Sequence, residues 1–238
     1  MKKLACTLLL LSSALVQAGF DEGLVAADKG DYQTAFKEWK PLAAQGDAVA
    51  QYNLAQMYRM GQGVPQNDTQ AVAWYKKSAE QGYASAQSNL GVMYDNGKGV
   101  AQNDTQAVAW YKKAAEQGHA SAQYNLGVMY GTGRGIPQNY TQAVHWYKKA
   151  AEKGHASAQS NLGGMYGTGR GIPQNYKIAY ILFNLAASNG GADVTQNRDI
   201  AAAELSPATI EDAQRITLQL YNSKNFAADL RKLLSSQN

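Results

Sequence analysis

Cysteine is nearly absent from this chain of 238 residues, which has a single one, Cys6. Cys6 lies within the first 18 residues, a segment with the character of a removable leader, so the rest of the chain has no thiol. That composition excludes a disulfide framework and a cysteine-ligated metal site from residues 19–238.

The chain also has little net charge. The 22 lysines and arginines exceed the 18 aspartates and glutamates by four, and the excess falls to two without Lys2 and Lys3, because residues 1–18 contain no acid. Such a weak and evenly spread bias argues against a nucleic-acid partner.

Long apolar runs are limited to one, from Leu4 to Val16. It follows two lysines and precedes a small-residue ending at Ala18, which predicts a secretory signal peptide over residues 1–18 and cleavage before Gly19. The alternative is an uncleaved membrane anchor, but that needs about 20 apolar residues and this run is shorter. We therefore expect an exported protein, periplasmic or secreted, that is not held in a membrane after cleavage.

What the sequence has in abundance is repetition. The segment Asn103–Tyr130 reads NDTQAVAWYKKAAEQGHASAQYNLGVMY and recurs almost unchanged at residues 67–94 and 139–166. Tryptophans mark the 36-residue period at Trp74, Trp110 and Trp146. A fixed period of this size is typical of a solenoid, in which each repeat buries its apolar face against its neighbours.

The period divides the chain into four parts. We expect the signal peptide over residues 1–18, N-terminal helices forming a partial repeat over 19–46, four repeats over 47–190, and a degenerate repeat with C-terminal capping helices over 191–238. The last part is polar and atypical, as a capping repeat exposed to water on one side requires.

Each repeat predicts two helices joined by a glycine-rich connector. In the second copy they run from Ala84 to about Tyr94 and from about Asp104 to Gln117. Gly91 lies inside the first of them, which indicates the close approach of another helix. Asparagines precede the second helices as N-caps, and glutamines three residues later suggest capping boxes. These residues are Asn67, Asn103, Asn139 and Asn175, with Gln70, Gln106 and Gln142.

Helix ends outside the regular repeats can also be predicted. Pro41 lies inside the helical segment Tyr32–Gln45, which it should kink or split in two. Residues from Asp193 to Leu205 predict a degenerate first helix. The pair Ser206-Pro207 then starts a final helix that reaches about Tyr221, with proline in its first turn.

The repeat pattern A..WYKKAA..G.A.AQ.NLGVMY.G.G resembles the Sel1-like repeat family, a relative of the tetratricopeptide repeats with a longer connector. The resemblance covers about residues 31–221. It implies an all-α fold, a right-handed α/α superhelical solenoid, that acts mainly as an adaptor in protein complexes without chemistry of its own. One branch of secreted Sel1-like proteins has a disulfide in each repeat and reported penicillin binding or hydrolysis. The absence of cysteine after residue 18 separates this chain from that branch.

A row of asparagines recurs just before the leucine of each first helix. Its members are Asn53, Asn89, Asn125 and Asn161. Because an amide both donates and accepts, such a row can bind the N–H and C=O groups of an extended peptide, as a similarly placed asparagine does on the concave face of tetratricopeptide repeats. The alternative is that these side chains bond a neighbouring helix or connector.

Two positions beside the asparagines vary between copies while the core does not. One is occupied by Tyr52, Ser88, Tyr124 and Ser160, and the other by Gln56, Val92, Val128 and Gly164. Variation in a fixed frame is suited to partner specificity, with the tyrosines as amphipathic anchors. We expect Tyr52, Tyr124, Gln56 and Ser88 on the binding face. A merely solvated groove is the alternative.

A cation recurs in the connector, as Lys98, Arg134 and Arg170, with Gln62 in the first copy. This basic row is suited to an acidic partner or a glycan. Its alternative role is to cap the carbonyl groups at helix ends.

Catalytic and metal chemistry has little support. His119 and His155 share one repeat position, but adjacent solenoid helices about 8–10 Å apart hold such residues too far from each other for one metal ion. No Ser/His/Asp or paired-carboxylate arrangement recurs. We therefore predict a scaffold that binds a protein or peptide partner, with no cofactor or metal. The alternative is a peptidoglycan- or β-lactam-related enzyme, β-lactamase-like, or a regulator of a cell-wall enzyme.

Overall fold

The computed structural model describes residues 18–191 and 194–235. The predicted signal peptide, apart from its last residue, lies outside them, as does the predicted start of the degenerate helix at Asp193. Every regular element in the described part of the chain is an α-helix, which confirms the all-α class. The chain divides into two compact units, with the boundary between Lys113 and Ala114.

The first unit, over its described residues from 18 onward, contains six helices in chain order. They are α1 (residues 18–28), α2 (Tyr32–Ala44), α3 (Ala48–Met60), α4 (Asp68–Glu80), α5 (Ala84–Asn96) and α6 (Asp104–Glu116), whose last turn passes the boundary. Helices α2 to α5 each pack on the next one along the chain. Their apolar faces form two buried clusters, one around Trp39 and Leu54 and one around Tyr75, Leu90 and Trp110.

The second unit continues the same order and then departs from it. Its helices are α7 (Ala120–Thr132), α8 (Tyr140–Ala151), α9 (Ala156–Thr168), α10 (Tyr176–Ser188), α11 (Thr195–Ala203), α12 (Pro207–Tyr221) and α13 (Phe226–Ser235). Helices α7 to α10 each pack on the next, but α11 and α12 both pack on α10. The apolar core of this unit is centred on α10, where Ile181 and Leu182 are fully buried.

Glycine inside the first helices is explained by helix packing. A Cβ atom on Gly91 would lie 2.6 Å from the ring of Tyr111 on α6, and one on Gly127 would lie 2.7 Å from the ring of Tyr147 on α8. Real side chains do not approach so closely, so only glycine lets the aromatic residue of the second helix lie flat against the first. The predicted close approach at Gly91 is confirmed.

The asparagine N-caps are also confirmed. Asn67 and Asn139 each accept the backbone N–H three residues on at 3.0 Å, and Asn103 and Asn175 do so at 2.9 and 3.0 Å. In the predicted capping boxes, the glutamine side chain would accept the backbone N–H of the capping asparagine. That N–H makes another contact instead. The backbone N–H of Asn67 donates to the carbonyl of Tyr58 at 2.8 Å, and the equivalent bond recurs at each of the other caps. This bond ties the start of each second helix to the first helix before it.

The connector is held close to the preceding second helix. Gly99 has a φ of 68°, and a Cβ atom there would lie 2.2 Å from the backbone oxygen of Asp68 at the start of α4. The left-handed backbone and this close approach both require glycine. The connector therefore brings Lys98 and Asp68 to the same place in the fold.

Of the two outcomes predicted at Pro41, the structure excludes the split, because α2 runs from Tyr32 to Ala44 with Leu42 and Ala43 buried in its last turn, and the kink stays a prediction. The prediction about the last helix needs correction. Helix α12 begins and ends as predicted, with Ser206 as its cap, but α13 follows it. The buried Leu230 and Leu234 give α13 an apolar face.

Candidate functional site

Two pockets of similar size lie at equivalent places in the two units. The first repeat pocket has a volume of about 430 Å³ and is lined by Tyr52, Gln56, Arg59, Gln66, Asp68, Asn89, Val92, Met93 and Lys98. The second repeat pocket has a volume of about 350 Å³ and is lined by Gly131, Thr132, Tyr140, Tyr147, Ser160, Asn161, Gly164, Met165, Thr168, Arg170 and Asn197.

Six lining positions of the second repeat pocket lie 72 residues, or two repeats, after lining positions of the first. Among them, Asn161 corresponds to Asn89 and Arg170 corresponds to Lys98. The asparagine row and the basic row, which the sequence presents as separate features, therefore meet in one pocket. Asn197, which continues the asparagine row, joins Asn161 in the second repeat pocket.

Local helix geometry places these side chains. Tyr52, Gln56 and Arg59 lie on α3 at spacings of four and three residues, so they share one helix face. Asn89 lies on α5, the next first helix along the chain, and Lys98 follows its C-terminal glycine cap. The pocket thus lies between successive first helices and the connector that follows them.

The asparagine amides bond neighbouring helices. Asn89 Nδ2 lies 3.4 Å from Tyr75 Oη and 3.5 Å from Gln56 Oε1, and the Tyr75 hydroxyl donates to the same Gln56 oxygen. The equivalent contact of the second repeat pocket joins Asn161 Nδ2 to Tyr147 Oη at 3.3 Å. Burial raises the pKa of both tyrosines to about 12, so each phenol keeps its proton at neutral pH. These bonds match the alternative in which the asparagines join helix to helix.

The other two members of the asparagine row, Asn53 and Asn125, are half-buried on α3 and α7. Neither lines the pocket of its own unit. The two repeat pockets therefore contain Asn89 and Asn161, two repeats apart.

The two predicted tyrosine anchors pack within the fold. Tyr52 makes an edge contact with Tyr83, with ring centroids 5.2 Å apart, and Tyr124 stacks on His155 at 4.7 Å with the planes inclined by 20°. Both tyrosines are half-buried, and Gln56 Nε2 donates to the Tyr52 hydroxyl at 3.2 Å. Of the two, only Tyr52 lines a repeat pocket, the first.

Ser88 requires a correction. Its exposed fraction is 2%, so it lies beneath the surface on which it was expected. The cause is the packing of α5 within the fold, which covers the Ser88 side chain. Ser160, its equivalent two repeats on, is half-buried and does line the second repeat pocket.

Two residues of the basic row, Lys98 and Arg170, line the repeat pockets, and Arg134 does not. Lys98 is exposed at the first repeat pocket, and the guanidinium of Arg170 lies over the ring of Tyr140, 5.8 Å from its centroid, at the second. Arg134, in the connector after α7, is half-buried and lines neither pocket. The helix-end carbonyl groups are capped by backbone, since the N–H groups of Lys98 and Arg170 donate to Met93 and Met165 at 3.0 and 3.2 Å.

Two histidines have a structural role that the sequence reading missed. His119 Nδ1 accepts the N–H of Ala122 at 3.4 Å, and His155 Nδ1 accepts that of Ala158 at 3.3 Å, so both are N-caps. Burial lowers the pKa of each imidazole, with Lys153 contributing at His119, which favours the neutral acceptor form. Asp47, which caps α3 at the same repeat position, was the signal available in the sequence.

The pockets offer hydrogen-bond donors and positive charge. The first has Arg59 and Lys98 against the single acid Asp68, and the second has Arg170 with several hydroxyl and amide groups. Over residues 18–191 and 194–235, no group of three or more His, Cys, Asp and Glu side chains is placed to hold a metal ion. Such pockets are suited to anchoring polar or acidic groups of a partner.

The sequence profile of the Sel1 repeat matches four consecutive segments, residues 48–83, 84–119, 120–155 and 156–191. The chain belongs to the Sel1 repeat family. Its fold is accordingly an all-α Sel1 repeat solenoid, and proteins of this family are generally non-enzymatic scaffolds for protein–protein interaction.

Solved structures of bacterial Sel1-repeat proteins resemble this one. The protein c5321, a protective antigen of uropathogenic Escherichia coli with an SLR fold, is 33% identical with a TM-score of 0.78, and the match covers 92% of this chain and 48% of that one. This chain therefore spans about half the length of the E. coli protein. A Sel1 repeat protein from Oxalobacter formigenes is 25% identical with a TM-score of 0.70, and the match covers 92% of this chain and 100% of that one. No curated protein matches the chain.

Within the part of the Sel1 chain that the structure describes, no helix has both the length and the apolar character needed to cross a bilayer.

Proposed function

We propose that this Sel1 protein is exported and binds an extended, acidic segment of a partner protein on its expected concave face, with a repeat pocket as the anchoring site. The observation that carries the proposal is that an asparagine of the row and a connector cation line the same pocket in each unit, Asn89 with Lys98 and Asn161 with Arg170. Because the arrangement recurs at the same repeat positions, each unit by itself offers an anchoring site for an extended segment.

Charge decides which side chains the pockets favour. Lys98 and Arg59 outnumber Asp68 at the first repeat pocket, and Arg170 supplies the charge at the second. A partner carboxylate would accept charge-assisted hydrogen bonds from these groups, and such bonds are about twice as strong as neutral ones. The cations are solvent-exposed, so the binding should weaken as the salt concentration rises.

Export is supported by the leader-like residues 1–18. A partner would then be met outside the cytoplasm, in the periplasm or beyond. The E. coli relative is described as a protective antigen, which accords with a place at or beyond the cell envelope for this chain as well.

A peptide selection tests the preference for acidic segments. Random peptides of about a dozen residues, long enough to cross successive helices when extended, would be displayed and selected on the mature protein. We expect selected peptides to be enriched in aspartate and glutamate, and their binding to weaken with salt. Selection of apolar or basic peptides would contradict the proposal.

We further propose that the protein has no catalytic activity of its own, as is general in its family. A nitrocefin assay on the purified mature protein addresses the β-lactamase alternative. We expect no turnover above the rate without protein. Turnover that a point substitution in either pocket abolishes would overturn the scaffold role.

A further inference from the structure

A third cavity lies at the C-terminal end of the second unit and shares no lining residue with the repeat pockets. This C-terminal groove has a volume of about 860 Å³ and is lined by Tyr180, Asn184, Ala187 and Ser188 of α10, Arg198, Asp199 and Ala202 of α11, and Gln214, Thr217, Leu218 and Tyr221 of α12. It is about twice the volume of either repeat pocket.

The groove exists because the degenerate repeat packs differently from the others. In regular repeats the second helix packs on the first helix of its own repeat, as α10 packs on α9. Here α11 has 9 residues where α9 has 13, and both α11 and α12 pack on α10. The space between α11 and α12 is left open, and residues of α10 form its floor.

Polar groups with unused hydrogen-bonding capacity line this space. The Asn184 amide makes no side-chain hydrogen bond to any described residue, so its donor and acceptor are both available. Gln214 Nε2 donates to Tyr180 Oη at 3.2 Å, which leaves the Gln214 oxygen as an acceptor and the Tyr180 hydroxyl as a donor. Arg198 is bonded to Asp199, with 3.2 Å between Nη2 and Oδ1, so this pair brings no net charge.

These groups discriminate between classes of ligand. An apolar helix laid in the groove would leave the amides unpaired, and each buried polar group left unpaired lowers affinity by roughly tenfold. A strongly charged ligand gains little, because Arg198 is already neutralised by Asp199. The α12 wall of the groove, from Gln214 to Tyr221, is about 10 Å long. An extended peptide would contact it over only about three residues, so a peptide is a poor fit.

We propose that the C-terminal groove binds a neutral saccharide of about one to three sugar units. Each sugar hydroxyl both donates and accepts, which matches the amides of Asn184 and Gln214 and the hydroxyl of Tyr180. Tyr221 is 55% exposed at the rim, where its ring offers a flat apolar surface for the C–H face of a pyranose. The adjacent Leu218, 63% exposed, extends that surface.

Saturation-transfer NMR on the mature protein tests this with three defined neutral sugars, maltotriose, cellotriose and triacetylchitotriose. We expect at least one to receive saturation and its affinity to fall about tenfold in Asn184→Ala. Arg215→Ala is the matched control, because Arg215 is an exposed residue of the same helix wall that pairs with Asp212 and does not line the groove. That variant should bind as the unaltered protein does.

Tyr221→Ala is a second variant at an exposed position, so its folding should be unaffected, and it should weaken binding as well. The proposal is overturned if none of the three sugars receives saturation, or if Asn184→Ala and Tyr221→Ala both bind the sugar as tightly as the unaltered protein does. Because none of these residues lines a repeat pocket, the outcome is independent of the peptide selection described above.

Discussion

The side-chain amide of Asn161 donates a hydrogen bond to the hydroxyl of Tyr147, with 3.3 Å between Nδ2 and Oη. Two repeats earlier, Asn89 makes the same contact with Tyr75 at 3.4 Å. Each pair joins a first helix to the second helix of the preceding repeat. Asn89 and Asn161 are therefore part of the packing between repeats as well as of the pocket walls.

Asn161→Ala should lower the free energy of unfolding by about 1 kcal/mol, because it removes one hydrogen bond to a buried phenol. Urea unfolding measures the loss. Tyr147→Phe removes the same bond from its other side, so the double variant should lose less than the sum of the two single losses. Strict additivity would show that the bond contributes nothing to stability.

Stability should fall as the pH drops below about 6.5, the ordinary histidine pKa, because burial lowers the pKa of the capping residues His119 and His155 in the fold. The unfolded chain takes up protons there more readily than the folded one, so the contribution of the caps is present above that pH and is lost below it. Urea midpoints at about pH 8 and about pH 5.5 measure the change.

The control for this pH effect is the double variant His119→Asn/His155→Asn, which keeps a side-chain acceptor at each cap and removes the two titrating groups. Its midpoint should change less between the two pH values than that of the unaltered protein. Equal changes would mean that other groups, such as His145, account for the pH dependence.

Gly91→Ala should destabilise the protein by about 1–3 kcal/mol, since the added Cβ would lie 2.6 Å from the ring of Tyr111. Gly164→Ala is the matched control in the interior of another first helix, where the added Cβ would meet no described atom within 4 Å. That variant should gain about 0.5–1 kcal/mol from helix propensity. Thermal unfolding compares them, and a similar effect of both changes would contradict the packing explanation.

Helix α13 should act as a cap for the second unit. Leu230→Ala should cost about 2–5 kcal/mol, because Leu230 is fully buried in the core of that unit. Leu218→Ala, at a position 63% exposed on α12, should cost less than about 0.5 kcal/mol. Urea unfolding distinguishes the two, and a negligible cost for Leu230→Ala would show that α13 is not part of the cooperative fold.

Much of the fold could be predicted because the relevant signals are local. Asn67 and its equivalents mark helix starts through a bond three residues away, and Gly91 marks a close approach through its missing side chain. The predicted capping boxes were wrong because a contact more distant in sequence replaces them: the backbone N–H of Asn67 donates to the carbonyl of Tyr58 in the preceding helix. The continuity of α2 through Pro41 likewise depends on the burial of the residues after it.

The candidate site could be predicted only in part. Asn89 and Lys98 were each identified from the period, but their meeting in one pocket depends on the connector folding back at Gly99. The burial of Ser88 follows from helix packing, which a repeat position alone does not reveal. The C-terminal groove follows from how α11 and α12 share α10, a relationship with no regular counterpart in the repeats.

The most direct test of the account measures the affinity of a selected acidic peptide for two charge-matched double variants. Lys98→Gln/Arg170→Gln removes one cation from each repeat pocket, using the residue that the first copy carries as Gln62. Lys76→Gln/Lys112→Gln removes two exposed cations that line neither pocket. We predict that the dissociation constant rises at least about tenfold in the first variant and changes less than about twofold in the second. An equal change in both variants would contradict binding at the repeat pockets.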